Sequence, residues 1–149
     1  MNLRLLSCAL LATVAACRQE SDVRPNPASL AEAAAGSYRT NVYLDPSCVA
    51  LPVGQMPYVL LKRESDSTVT LVYTRLYPNK VMEQVANVRL RQQPEAIHLS
   101  IGGVSAGTLA TDRVFANNGM EKQGKLLRLN PPAGTQPSPN PSFAGFKED

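Results

Sequence analysis

From residue 37 to residue 129 apolar and polar positions alternate with a period of two, broken at short intervals by turn-forming residues. In residues 37–44 Tyr38, Thr40, Val42 and Leu44 fall on one face, with Arg39 and Asn41 on the other. That is the pattern of a half-buried strand. Asp45-Pro46-Ser47 breaks it, and a loop carrying Pro52, Gly54 and Pro57 follows. Residues 58–64 and 68–77 are the next predicted strands, joined through Ser65-Asp66-Ser67. Pro78-Asn79-Lys80 leads into residues 81–91, where Met82, Ala86, Val88 and Leu90 are expected on the core face, opposite Glu83, Asn87, Arg89 and Arg91. In residues 96–101 Ile97, Leu99 and Ile101 point one way, His98 and Ser100 the other. Gly102-Gly103 turns the chain into residues 104–110, and residues 112–116 either extend that strand or form another. Asn118-Gly119 is a two-residue hairpin signal, and residues 125–129 close the series.

Before the strands, Ser29-Leu30-Ala31-Glu32 matches a capping box, and Gly36 suits the end of a short helix over residues 29–35. The strands are joined by turns far shorter than the dozen or more residues that a parallel crossover needs. The sheet is therefore predicted to be an antiparallel meander. It hides its apolar face by closing or curling into a small barrel, with a sandwich as the alternative. The composition changes after Leu129. Residues 131–149 hold Pro131, Pro132, Pro137, Pro139 and Pro141 among small polar residues, which predicts an extended, disordered tail. Phe143 and Phe146 in that tail are expected to be solvated. The predicted organisation is a leader over 1–16, a polar tether over 17–28, a mainly β domain over 29–130 and the tail.

The N-terminus carries the sharpest motif. Arg4 precedes an apolar run from Leu5 to Val14, followed by Ala15-Ala16-Cys17. The run has the length of a signal-peptide core and is too short for a membrane-spanning helix, which takes about 20 residues. Small residues followed directly by cysteine resemble the lipobox of bacterial lipoproteins. The resemblance implies that Cys17 receives a diacylglyceryl group, that the chain is cut before it, and that the new amine is acylated. Two or more acyl chains anchor a protein stably where one does not. Arg18 at the second position of the processed chain implies an outer-membrane location.

The formal net charge of +3 is close to neutral and contains no block of like charges, which argues against a nucleic-acid partner. Cys8 lies in the leader and Cys17 is the lipid site, leaving Cys48 without an intramolecular partner. Its neighbours Val49 and Leu51 suggest a packed small hydrophobe. No catalytic or cofactor motif stands out. His98 is the sole histidine, and a nucleophilic triad would have to use it. Structural zinc wants four cysteine or histidine ligands, and the acidic residues do not form a calcium loop. Lys62, Arg63, Arg75, Arg89 and Arg91 lie on successive strands and would form a basic rim if they cluster.

The expected function is binding rather than catalysis. A small barrel can hold an apolar ligand in its mouth, and Tyr38, Tyr43, Tyr58, Tyr73 and Tyr77, with Arg75, Arg89 and Arg91, are the candidate contacts. The stretch after Gly36 resembles the opening of lipocalin-like domains, although their Gly-x-Trp motif is missing because the chain has no tryptophan. The alternative is an envelope-assembly subunit or inhibitor that acts through its surface on an envelope protein, for instance with the loop over residues 53–57. Replacing Cys17 with Ala is expected to abolish labelling by a clickable fatty acid in a bacterial host; labelling that persists contradicts the assignment of the lipid site.

Overall fold

The computed structural model describes residues 29–45, 47, 50–130 and 142–147. A short helix, α1 (Leu30–Ala34), leads into β1 (Gly36–Arg39). Then come β2 (Tyr58–Arg63), β3 (Thr68–Arg75), β4 (Val81–Gln92), β5 (Ala96–Ile101), β6 (Val104–Phe115), β7 (Glu121–Leu129) and β8 (Phe143–Lys147). Each strand pairs antiparallel with the next, and β8 returns to β1, closing an eight-stranded barrel. The leader, Cys17, the tether over 17–28, Cys48 and the proline tract over 131–141 lie outside the described residues.

Closure depends on residues that sequence patterning assigned to the tail. In β8, Phe146 pairs with Leu126 of β7 on one side and with Arg39 of β1 on the other. Phe143 is buried in the barrel interior, edge-on to Tyr73 at 6.1 Å. Phe146 is buried on the outside, with Val114, Leu126 and Leu44, and Lys122 sits over its ring at 5.1 Å. The expectation of two solvated phenylalanines in a disordered segment is corrected by this pairing. Without β8 the edges of β1 and β7 would present unpaired amides and carbonyls to water or to another chain.

The opposite end of the barrel from β8's first residue is plugged by α1. Ser29 caps the helix, its Oγ accepting from the Glu32 amide at 3.1 Å; the Glu32 carboxylate lies toward Arg63 at 3.9 Å. Ala31 and Ala34 are fully buried in the barrel core. Short helices leave their last carbonyls without intrahelical partners, and here the barrel wall supplies donors. Lys125 Nζ donates to the Ala33 carbonyl at 2.9 Å, the Tyr38 hydroxyl to Ala34 at 2.6 Å and Lys147 Nζ to Ala35 at 2.6 Å. Gly36 is required beside this cap: its φ is 140°, and a Cβ there would meet the Lys147 side chain at 2.6 Å. Tyr38 is thus a structural residue, wholly buried, and not the ligand contact expected from its position in the pattern.

Two further departures have local causes. β1 stops at Arg39 instead of running to Leu44 because the Asn41 side chain takes over. Its Oδ1 accepts from the Tyr43 amide at 3.0 Å, an Asx turn, and its Nδ2 donates to the Phe115 carbonyl at 2.6 Å. Val42 is left 54% exposed. In β4 the register slips against β3, with Val69 opposite Val88 but Leu71 opposite Val85. The extra residue is taken up around Asn87, whose φ is 57°, and the Glu64 carboxylate accepts from the Asn87 amide at 3.2 Å and from the Thr70 hydroxyl. A bulge of one residue reverses the facing of everything on one side of it. Val88 and Leu90 face the core as expected, whereas Met82 and Ala86 are exposed and Glu83 turns inward.

The turns follow their chemistry. Gly102 and Gly103, with φ of 58° and 86°, make the two-residue hairpin between Ile101 and Val104, the mirror-image turn that suits strand twist. The Asn118-Gly119 hairpin is longer than two residues: Ala116 and Met120 are the last hydrogen-bonded pair, and Gly119 takes φ of 77°. β6 runs unbroken through residues 112–115. Phe143→Ala is expected to cost about 3–5 kcal/mol of stability, read by urea unfolding. A cost below about 1 kcal/mol, as for a surface position, contradicts the burial of β8.

Candidate functional site

The end of the barrel opposite α1 is its open mouth. There β1 ends, β2 begins, β3 ends, β4 begins and β8 begins, and residues from 40–45 and 50–57 gather beside these strand ends. A cavity of about 370 Å³ opens between them, lined by Thr40, Asp45, Leu51, Pro57, Tyr73, Arg75, Tyr77 and Phe143 among others. That volume lies within the range of small-molecule sites, roughly 300–1,000 Å³. Below it, the space bounded by Leu71, Tyr73, Glu83, Val85, Ile101, Ala106 and Leu129 shrinks to about 10 Å³, the lower limit for one water. The interior is therefore filled, and the roomy part is the rim.

Tyr73 links the two levels, since it lines both spaces. Burial raises the pKa of its phenol; Arg75 opposes that shift, and Glu83 and Asp45 add to it. All three charges therefore act on one hydroxyl. The backbone explains why they meet. Tyr73 and Arg75 alternate onto the inner face of β3, Glu83 is paired directly with Tyr73 across the bulged ladder, and Asp45 follows the turn set by Asn41. The Asp45 carboxylate accepts from the Ser47 amide at 3.0 Å and from its hydroxyl at 2.7 Å.

Among the described residues two side-chain polar atoms at this end are buried without a partner. The Thr40 hydroxyl belongs to a residue only 4% exposed and makes no hydrogen bond, and neither does Oε2 of Glu83. Each such atom costs about 1–3 kcal/mol when no donor or acceptor meets it. Few native groups are left in this state, and those that are call for an explanation such as a ligand or water.

Of the candidate contacts named from sequence, Tyr73, Tyr77 and Arg75 come together at the mouth. The others do not join them. Tyr58 lies under the Arg39 guanidinium at 5.7 Å, and exposed Tyr43 packs against Phe115 with ring centroids 5.8 Å apart. Arg89 pairs with Thr68, at the far end of β3 from Arg75, and Arg91 sits opposite His98 on the outer wall. Arg63 is drawn to Asp66 at 2.7 Å. The basic residues thus divide between the two ends and form no single rim. Thr40, Asp45, Glu83 and Phe143 were not legible as site residues. The clue for Glu83 is Asn87 in mid-strand, a residue type that tolerates the left-handed conformation of a bulge.

His98 is half-buried on the outer wall. Among the described residues no group of three His, Cys, Asp or Glu side chains is placed to hold a metal. Compared with protein-family models, with curated proteins and with solved structures, the chain matches none.

The raised Tyr73 phenol has a consequence for stability. The native state keeps this proton when the unfolded chain, with its ordinary value of 10.0, has lost it. Stability is then full below that value and falls as pH rises through it. Denaturant unfolding at increasing alkalinity should show a shallower decline for Tyr73→Phe than for the native chain. Equal slopes would mean that Tyr73 is not held in the mouth.

Proposed function

We propose that this protein is a non-catalytic binding module of the bacterial envelope, held to the membrane by a lipid on Cys17 and taking a small ligand in the barrel mouth. The observation that carries the ligand reading is the open mouth cavity of about 370 Å³. A mixed wall of Leu51, Pro57 and Phe143 with Tyr73, Tyr77 and Arg75 is the usual make-up of such sites, apolar surface with a few polar groups that fix orientation. The filled interior argues for a ligand held at the rim and against a long acyl chain stored along the barrel axis. The envelope location rests on the lipobox resemblance of residues 14–17 and carries the same proposal.

A second reading, an accessory subunit or inhibitor that works through its surface, has its own support. Tyr43, Phe115 and Met120 are 54%, 40% and 66% exposed beside the β6–β7 hairpin tip, and Val53 in the loop over the mouth is 58% exposed. Apolar side chains gathered at the surface mark contact sites when they form a patch.

Native mass spectrometry of the protein purified from its envelope separates the two. The ligand reading expects a non-covalent adduct that is lost on denaturation while the covalent lipid remains. A chain carrying only its lipid, together with a crosslinked protein at Tyr43 or Phe115, would favour the surface reading and count against the first.

A further inference from the structure

The tip of the β6–β7 hairpin is fastened to the segment that follows β1. Asn41 Nδ2 donates to the Phe115 carbonyl at 2.6 Å, and the Phe115 ring lies against Tyr43 at 5.8 Å. A Cβ on Gly119 would come within 2.9 Å of the Tyr43 hydroxyl oxygen, so the turn itself rests on that side chain. Beneath this contact Val114, Leu126 and Phe146 are buried with Leu44 packed on them. Among the described residues eight large hydrophobic side chains are exposed, and half of them stand here: Val42, Tyr43, Phe115 and Met120. They are held in place and left in water.

Four side chains at a hairpin tip fall far short of the roughly 20–30 residues a side of a stable protein interface. They suit a soft surface that is kept close by other means. The lipobox reading, on which this inference rests, supplies one. Ser29 stands twelve residues after Cys17, a stretch that spans at most about 40 Å. The helix it leads to is bonded to the same hairpin, since Lys125 donates to the Ala33 carbonyl. Tethering at that range raises the effective concentration of the surface, so a small contact suffices.

The charges agree with a membrane. From Asp112 to Arg128 the hairpin carries Arg113, Lys122, Lys125 and Arg128 against Asp112 and Glu121. Each acid is paired with an arginine, Asp112 with Arg128 at 2.9 Å and Glu121 with Arg113 at 3.3 Å. The hairpin therefore keeps an excess of two cations. Arg39 and Asp45, on either side of the Asn41 turn, offset each other. Tyrosine and apolar side chains sit well at the level of lipid headgroups, and cations beside them are drawn to anionic lipids. We infer that the β6–β7 tip, together with Val42 and Tyr43, docks on the anionic surface of the bilayer that holds the Cys17 lipid.

The chain has no tryptophan, so one introduced residue reports alone. The full chain carrying Met120→Trp, fed a clickable fatty acid and purified with its lipid, is reconstituted into phosphatidylcholine vesicles with and without phosphatidylglycerol. Met82→Trp, at an exposed position on β4, is the comparator. In vesicles with phosphatidylglycerol the Met120→Trp emission should shift to the blue and be quenched by brominated acyl chains, while Met82→Trp should emit as in water. Two excess cations at about 1 kcal/mol each favour docking by up to about thirtyfold over neutral vesicles, and high salt should reverse that gain. If Met120→Trp fails to fold by circular dichroism, Val42→Trp takes its place.

A labelled chain whose patch tryptophan stays wet and unquenched overturns the inference and leaves the anchor standing. Equal quenching of Met82→Trp also overturns it, because no particular face would then meet the bilayer. A blue shift produced by envelope proteins and not by vesicles assigns the patch to a protein partner instead. A chain without fatty-acid label removes the anchor and the inference together.

Discussion

The pairing of β8 with both β7 and β1 is the constraint on which the remaining structure rests. It turns an open meander into a closed barrel and removes two sheet edges at once. It also places Phe143 between the core and the mouth, where the ring meets Tyr73 and walls the cavity. The partners of β8 are distant in sequence, with Arg39 of β1 opposite Phe146. Loop-closure entropy must be met before such contacts form. The pair of buried phenylalanines and the ladder hydrogen bonds are what offset it.

The barrel is built with one shut end and one open end. At the shut end α1 inserts Ala31 and Ala34 into the core, and its last carbonyls receive hydrogens from Lys125, Tyr38 and Lys147. These three donors come from β7, β1 and β8, so the plug ties together the strands at the seam where the barrel closes. At the open end Thr40, Asp45, Tyr73, Arg75 and Tyr77 line a cavity of about 370 Å³ together with apolar side chains. A cavity already formed by a closed barrel is a basis for recognition, because binding then costs little reordering of the protein. The proposed ligand reading of the mouth rests on that contrast between its two ends.

Much of the fold was legible because antiparallel neighbours are also sequence neighbours. Alternation located β2, β3, β5 and the start of β6, and the short turns dictated their pairing. Ser29 and Gly36 marked the helix ends correctly because capping is local chemistry. What failed was what depends on distant partners or on a single residue out of phase. β8 is a five-residue strand behind a proline-rich stretch, too short for periodicity to speak, and its identity is conferred by β1 and β7. Asn41 ended β1 through its own side chain, and the slip at Asn87 reversed the facing of the first half of β4. The mouth inherits those errors: Tyr73, Tyr77 and Arg75 could be named from residue type, whereas Glu83 needed the bulge, Phe143 the closure, and Thr40 and Asp45 the path of the chain after β1.

Amide hydrogen exchange along residues 143–147 tests the closed barrel, and with it the mouth, most directly. The account predicts protection of the β8 amides that face β7 and β1 to the level of the β7 core around Leu127, lost only with global unfolding. Exchange of residues 143–147 at the rate of an unstructured peptide, with β7 still protected, would contradict it, because the cavity would then lack the wall that Phe143 provides.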